Sequence, residues 1–194
     1  AAIDTITGGA GNDTLAGAGG ADIINVGEGR DVVVIGATDS TTAAFDSING
    51  FTLATKATVA FTNQAGFLSG TTGGSNVSIL DITAGAAVAI KGDITAAAGQ
   101  AAGVTYTIKG GILTVGGAGA STVDTLGEWL TEAHAALGGT QGASIAFEFG
   151  SDTYVYTENG ATDIFVKLVG VTGANALVDG YTTAATVDNT ILIG

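Results

Sequence analysis

The stretch that decides the fold is Gly8-Gly9-Ala10-Gly11-Asn12-Asp13-Thr14-Leu15-Ala16. It matches the pattern G-G-x-G-x-D-x-U-x, in which U is a large apolar residue, at every fixed position. The glycine-rich half can adopt turns with positive φ, and the second half predicts a short strand whose middle residue points inward. The aspartate of the pattern recurs at intervals of nine residues, at Asp4, Asp13, Asp22 and Asp31.

The other copies of the pattern are degenerate in an orderly way. Residues 17–25 keep the first and fourth glycines, the aspartate and the apolar residue, whereas residues 26–34 lose the first glycine. Residues 1–7 read as the tail of an earlier copy, so we expect the chain to be the C-terminal part of something longer. The inward positions predict a narrow apolar core of Leu15, Ile24 and Val33, with Ile6 at its open end.

Aspartates in register beside glycine-rich turns indicate a site for a hard cation. Ca²⁺ takes six to eight oxygen ligands, which a single turn cannot supply. We therefore expect two stacked turns to share an ion through backbone carbonyls and aspartate carboxylates. Without the ion the carboxylates repel each other and the glycines are costly to order, so the segment should be disordered in the calcium-free chain. A phosphate-binding loop is disfavoured because the lysine and the following helix that it needs are missing.

Composition limits the possible partners. The net charge is −13, with 18 acidic residues against five basic ones, so binding to nucleic acid or to an anionic membrane surface is disfavoured. No run of about twenty apolar residues predicts a membrane-spanning helix. The chain has no cysteine and therefore no disulfide. Without disulfides, a bound calcium ion is one remaining way to cross-link the chain.

The remainder of the chain is predicted to be mainly β. Glycine thins after Val32, and a hairpin is indicated by two apolar stretches that flank Lys109-Gly110-Gly111. The predicted strands are residues 77–82, 87–91, 104–108, 112–115, 143–149, 153–157 and 164–169. These spacings favour a β-sandwich or a continuation of the repeats into longer strands.

One helix stands out in the second half of the chain. Thr125 can cap its start, and Glu128 completes a capping box. Gly138-Gly139 is expected to end it. Its apolar face is predicted to contain Leu126, Trp129, Leu130, Ala133 and Leu137. Glu128 and Glu132 are predicted to form a face of like charge, residues 95–102 a weaker helix or loop, and residues 63–68 a short helical turn.

The repeats resemble those of RTX proteins, which are exported by type I secretion. Asp46-Ser47-Ile48-Asn49-Gly50-Phe51 resembles the D-x-I-x-x-F segment that closes the roll in serralysin-type proteases and RTX surface-layer proteins. The sequence departs at Asn49-Gly50, where an acidic residue is common, so no further calcium site is assigned at Asp39 or Asp46. Residues 153–171 are similar to the C-terminal region of RTX surface-layer-like proteins. Residues 186–194 resemble a type I export signal, and are equally compatible with a last edge strand.

The resemblance implies a calcium-binding parallel β-roll in which two repeats make one coil. Asp4 would then face Asp22, and Asp13 would face Asp31. The implied metal-ligating residues are Asp4, Gly9, Gly11, Asp13, Ala18, Gly20, Asp22, Gly27, Gly29 and Asp31. The expected architecture is all-β, with this short roll over residues 1–36 and a β-rich capping and secretion domain over residues 37–194.

No enzyme motif is present in the sequence. There is no H-E-x-x-H zinc motif and no G-x-S-x-G nucleophile elbow. The single histidine, His134, is expected to be a packed or surface residue of the helix, and Glu158 and Asp163 could lie near one calcium ion at the Asn159-Gly160 turn. We therefore expect a protein that is not an enzyme.

Two functional hypotheses remain open at this point. The first is a calcium-dependent structural module of a secreted RTX protein, on the surface layer of a Gram-negative bacterium, with the type I secretion apparatus and further copies of itself as partners. The second is the secretion and folding tail of an RTX enzyme whose catalytic domain lies upstream, or the C-terminus of an adhesin. The upstream sequence would discriminate between them.

Overall fold

The described part of the chain folds into two β-sheets that pack on each other, with one α-helix on an outer face. A computed structural model describes residues 2–54, 77–84, 86–179 and 190–193. Its strands are β1 Thr5–Thr7, β2 Thr14–Ala16, β3 Ile23–Asn25, β4 Arg30–Ile35, β5 Asp46–Asn49, β6 Val77–Ile82, β7 Ala89–Ile90, β8 Ile94–Ala98, β9 Thr105–Lys109, β10 Ile112–Gly116, β11 Ala143–Phe149, β12 Asp152–Thr157, β13 Ile164–Val169, β14 Leu177–Asp179 and β15 Thr190–Ile193. Helix α1 is Leu126–Leu137, and a short 3₁₀ turn is Ala120–Thr122.

The N-terminal strands form a parallel roll that alternates between the two sheets. Strands β1, β3 and β5 lie in one sheet, and β2, β4 and β6 lie in the other. Ile6 pairs with Ile24, and Leu15 pairs with Val33, so residues 18 positions apart are neighbours. This register confirms that two repeats make one coil. Strand β5 adds a further rung on β3, although the next coil is longer than 18 residues.

Each sheet of the roll continues into the C-terminal strands. Among the described residues, the larger sheet has the order β1-β3-β5-β13-β12-β11-β10-β9-β8, with β7 paired to β11. The smaller sheet has the order β14-β15-β6-β4-β2. Strands β5 and β13 are parallel, and the hairpins that follow are antiparallel. The all-β prediction of a roll joined to a sandwich is therefore confirmed.

The two sheets share one apolar core. Leu15, Ile24 and Val33 are buried in it and Ile6 packs against it, as their inward positions predict. The same core contains residues from far along the chain, among them Val166 and Ile191. The roll thus has no separate core, because both sheets and their packing cross residue 36. The predicted division of the chain at that residue stays a prediction.

The outer face of the larger sheet is covered by helix α1. Thr125 caps the helix, the capping box with Glu128 is present, and Gly138 ends it in the left-handed conformation, which confirms the predicted signals. Trp129 stacks on Phe147 with ring centroids 5.3 Å apart, and Phe147 in turn stacks on Tyr154. Because strands β11 to β13 are covered on both faces, they read as nearly continuous buried runs.

Two predictions about the outer face are wrong. Glu132 does not share a face of like charge with Glu128, because it points inward and is 1% exposed. Its carboxylate accepts hydrogen bonds from the backbone N–H groups of Gln100 and Ala101. For residues 95–102 the helical alternative is wrong, since pairing with β9 makes residues 95–98 part of strand β8, whereas the loop alternative holds for residues 99–102.

The outcomes of four other predictions differ. The predicted strand 87–91 is reduced to β7, which pairs in parallel with β11 instead of turning back on β6. The last strand, β15, lies between β14 and β6, so it is not an edge strand. The Gly110-Gly111 hairpin is confirmed, with both glycines at positive φ. The helical turn predicted at 63–68 lies outside the described residues.

Candidate calcium site

Aspartates of the roll stack along two edges, where successive turns lie on one another. The first edge, called here the Asp22 edge, contains Asp4, Asp22 and Asp46. Asp22 Oδ1 accepts a hydrogen bond of 2.8 Å from the backbone N–H of Asp4. Asp46 Oδ1 accepts one of 2.9 Å from the backbone N–H of Asp22. Each carboxylate thus binds the turn before it, and both Asp22 and Asp46 are fully buried.

The second edge, called the Asp13 edge, contains Asp13 and Asp31. Asp31 Oδ1 accepts a hydrogen bond of 3.1 Å from the backbone N–H of Asp13. The turns of this edge are in direct contact, because a Cβ at Gly27 would collide with the Gly9 carbonyl and one at Gly29 with the Gly11 carbonyl. Gly27 and Gly29 have φ of 95° and 131°, where only glycine is unstrained.

The second carboxylate oxygens have no partner within the chain. Among the described residues, the Oδ2 atoms of Asp13, Asp22 and Asp46 are buried and make no hydrogen bond. A Cβ at Gly8 would lie 2.9 Å from Asp13 Oδ2, and a Cβ at Gly17 would collide with Asp22 Oδ2. The first glycine of a repeat therefore provides the space for the aspartate. An unsatisfied buried polar atom lowers the stability of the fold by about 1–3 kcal/mol, and by more when it is charged. A cation bound to these oxygens would remove that cost.

The electrostatics of the edges agree with this geometry. Burial, and then the negative charges of Asp22 and Asp39, raise the pKa of Asp46 to about 6, against the lowering effect of its hydrogen bond from Asp22. Burial, with the charge of Asp13, also raises the pKa of Asp31, although the Asp13 N–H opposes the shift. The folded chain by itself thus resists ionisation of these carboxyls. A bound divalent cation would reverse that preference.

The structure brings the sequence-predicted residues together in two groups. Asp4, Ala18, Gly20 and Asp22 lie on the Asp22 edge. The others lie on the Asp13 edge, namely Gly9, Gly11, Asp13, Gly27, Gly29 and Asp31. The predicted facing pairs are confirmed by the hydrogen bonds from Asp4 and from Asp13. Ala18 holds φ of 59°, which shows that a glycine position of the repeat is kept in its turn conformation by alanine. Their role as metal ligands stays a prediction.

Sequence reasoning missed Asp46 as a member of the edge. Asp46 stands two residues before the inward Ile48, in the same way that Asp22 stands two residues before Ile24. This two-residue offset could have identified Asp46. It was overlooked because Asp46 follows Asp22 by 24 residues and not by the regular 18. Ser40 holds the backbone of Asp46 next to strand β13, since its hydroxyl accepts a hydrogen bond from the Asp46 N–H and donates one to the Phe165 carbonyl.

Comparison with known proteins identifies the repeats. Residues 1–33 match the family model of the RTX calcium-binding nonapeptide repeat, in four copies. The N-terminal part of the chain thus consists of RTX calcium-binding repeats. No curated protein matches the chain. In the part of the chain that the structure describes, no helix is long and apolar enough to cross a membrane.

The residues at the two edges fit a calcium ion. Ca²⁺ prefers carboxylate and carbonyl oxygens, which are the groups that the stacked RTX turns bring together. The buried Oδ2 atoms without a hydrogen bond are the observation that supports this fit. Asp13, Asp22, Asp31 and Asp46 would contribute carboxylates, and the glycine-rich turns would contribute carbonyls. When bound, the ion supplies charge neutralisation and a link between successive turns.

Proposed function

We propose that this chain is a calcium-dependent structural module of a secreted RTX protein. It folds when it meets external calcium after type I export, and contributes to a surface layer on a Gram-negative bacterium. Its role is structural and not catalytic. The RTX repeats at residues 1–33 support the calcium-binding part of this proposal. The lattice part rests on the resemblance of residues 153–171 to RTX surface-layer-like proteins that is described in the sequence analysis.

One observation carries the proposal. Asp22 and Asp46 stack on one edge, are fully buried, and each leave Oδ2 without a hydrogen bond. Two neighbouring carboxylates in that state would disfavour folding at neutral pH unless a cation were bound. Calcium that binds only the folded roll stabilises it by mass action, by about 4 kcal/mol when its concentration is 1,000 times Kd.

If calcium binding and folding of the roll are coupled, export can precede folding. A chain in a calcium-poor interior would keep the roll open, because the buried carboxylates would remain uncompensated. Outside the cell, calcium would close the roll, and its apolar residues would complete the core that they share with the C-terminal strands. The net charge of −13 fits a surface where bound cations offset the repulsion.

Electron microscopy of the purified chain tests the lattice function. We expect two-dimensional assemblies in millimolar Ca²⁺ and dispersed particles in EGTA. Asp22→Asn should prevent assembly, whereas Asp124→Asn, an exposed carboxylate outside the roll, should not. If only monomers were seen at high calcium, this chain would not assemble a lattice by itself, and a tail of a longer protein would be favoured.

A further inference from the structure

A second cluster of potential metal ligands lies outside the two aspartate edges, beside the C-terminal half of helix α1. His134 Nδ1 lies 3.2 Å from Glu158 Oε2 and 3.6 Å from Asp163 Oδ2. Ligand atoms of these three residues all lie within 4.8 Å of one another. Tyr156 completes the group, because its hydroxyl oxygen is 2.9 Å from His134 Nδ1.

The Glu158 carboxylate keeps a buried oxygen that makes no hydrogen bond. Glu158 is 3% exposed, and its Oε2 atom makes no hydrogen bond although His134 Nδ1 is near. The Tyr156 hydroxyl donates to Asp163, so a His134 tautomer with its proton on Nδ1 would donate that proton to the Tyr156 oxygen. A buried carboxylate oxygen thus points into the cluster without a donor, which is the state that a bound cation would relieve.

The spacing and the ligand types select a class of metal. Zinc binds imidazole nitrogen and carboxylate oxygen at about 2.0–2.2 Å, and a tetrahedron of that size has edges of about 3.3–3.5 Å. The two distances from His134 Nδ1, 3.2 and 3.6 Å, lie close to that edge. A nitrogen ligand is unsuited to Ca²⁺, which takes oxygen ligands.

We propose that His134, Glu158 and Asp163 form a site for a transition-metal dication of the Zn²⁺ class, separate from the calcium edges of the roll. His134 comes from helix α1, Glu158 directly follows β12, and Asp163 directly precedes β13. The metal therefore joins the helix to the sheet that it covers. His134 and Asp163 also line a pocket of about 550 Å³, which leaves space for water as a further ligand.

The composition of the chain makes the site easy to test. It contains one histidine and no cysteine, so any nitrogen ligand from a side-chain imidazole must be His134. The full chain, without an affinity tag and in saturating Ca²⁺, is titrated with Zn²⁺ by calorimetry and with Co²⁺ by visible absorption. We expect one Zn²⁺ per chain and a Co²⁺ spectrum typical of low coordination number.

Variants decide between this site and nonspecific binding. His134→Ala and Glu158→Gln should each weaken Zn²⁺ binding on the order of tenfold or more. Asp124→Asn, an exposed carboxylate just before the same helix, should bind as the unmodified chain does. Thermal unfolding in Ca²⁺ checks that each variant is folded. The proposal is overturned if the folded unmodified chain binds no Zn²⁺, or if His134→Ala binds it equally well.

Discussion

The edges of the roll and the helix-covered face of the larger sheet are stabilised in opposite ways. On the helix-covered face, Phe147 stacks between Trp129 and Tyr154, the helix is capped at both ends, and the buried Glu132 accepts backbone hydrogen bonds. On the Asp22 edge, Asp22 and Asp46 are equally buried, yet each keeps an oxygen without a hydrogen bond. The aromatic packing and the caps are supplied by the chain itself, whereas the buried aspartates keep oxygens for which we propose a cation from outside.

This difference separates what the chain does alone from what the environment decides. Apolar packing and capping act whenever the chain is in water, whereas on our proposal the buried aspartates of the roll stabilise the fold only with a cation bound. A continuous core nevertheless links the regions, since Ile24 and Val166 belong to one cluster. Calcium bound at the edges can therefore affect how the roll packs on the apolar core that it shares with the C-terminal strands.

The largest expected effect concerns the helix-covered face. Phe147 is fully buried among aromatic rings, so Phe147→Ala should lower the free energy of unfolding by about 3–5 kcal/mol. The loss should be similar with and without calcium, because the ring belongs to the core cluster under the helix and not to the core of the roll. Urea unfolding followed by the fluorescence of Trp129, the single tryptophan, measures it. If Phe147→Ala lowered the free energy of unfolding only in calcium, the helix-covered face would also depend on calcium, and the two regions would not differ.

Asp22→Asn should lower the calcium affinity of the chain, but it should not lower the stability of the calcium-free chain. In calcium it removes a charged ligand, and we expect the calcium affinity to fall at least about tenfold, or 1.4 kcal/mol. In EGTA it removes a buried charge next to Asp46, while Asn still accepts from the Asp4 N–H, so stability should stay equal or rise. Calorimetric titration and urea midpoints in each buffer test this, with Asp124→Asn as control. A matching loss in EGTA would contradict it.

The calcium-free chain should become more stable as pH falls. The pKa of Asp46 is raised to about 6 by burial, above its unfolded value of 3.8, so the folded state binds more protons between those values. Stability from this group is present below pH 4 and is lost as pH rises towards 6, by at most about 1.4 kcal/mol per pH unit. Urea midpoints in EGTA at pH 5 and 7 should show it, and Asp46→Asn should remove its share of the slope.

The smallest predicted effect is at Ala18. An L-residue at φ of 59° is strained, and glycine relieves the strain although it loses more entropy on folding. We expect Ala18→Gly to stabilise the calcium-bound chain by about 0.5–1 kcal/mol, as measured by thermal unfolding. Ala16→Gly, within strand β2, is the matched control and should destabilise instead. A loss of stability in Ala18→Gly would show that this turn carries no strain.

The sequence predicted the features that repeat or that have local signals. The spacing of nine residues gave the strands of the roll and the inward residues, because the pattern fixes both the turn and the strand. Capping at Thr125 and the Gly110-Gly111 hairpin were equally readable, since each depends on neighbouring residues.

Features that depend on long-range pairing were not predicted. Asp46 joins the Asp22 edge across an irregular coil of 24 residues, which breaks the period. Strand β8 is alanine-rich, and its conformation follows from pairing with β9. The inward direction of Glu132 follows from its contact with the loop at Gln100. In each case the decisive partner is distant in sequence and gives no local signal.

Hydrogen exchange of backbone amides with and without calcium tests the central claim most directly. In millimolar Ca²⁺, amides of strands β1 to β4 should be protected about as well as those of β11 to β13. In EGTA at pH 7, protection of β1 to β4 should be lost, while that of β11 to β13 persists. If β1 to β4 were equally protected in both buffers, the roll would fold without calcium, and the account of its buried aspartates would be wrong.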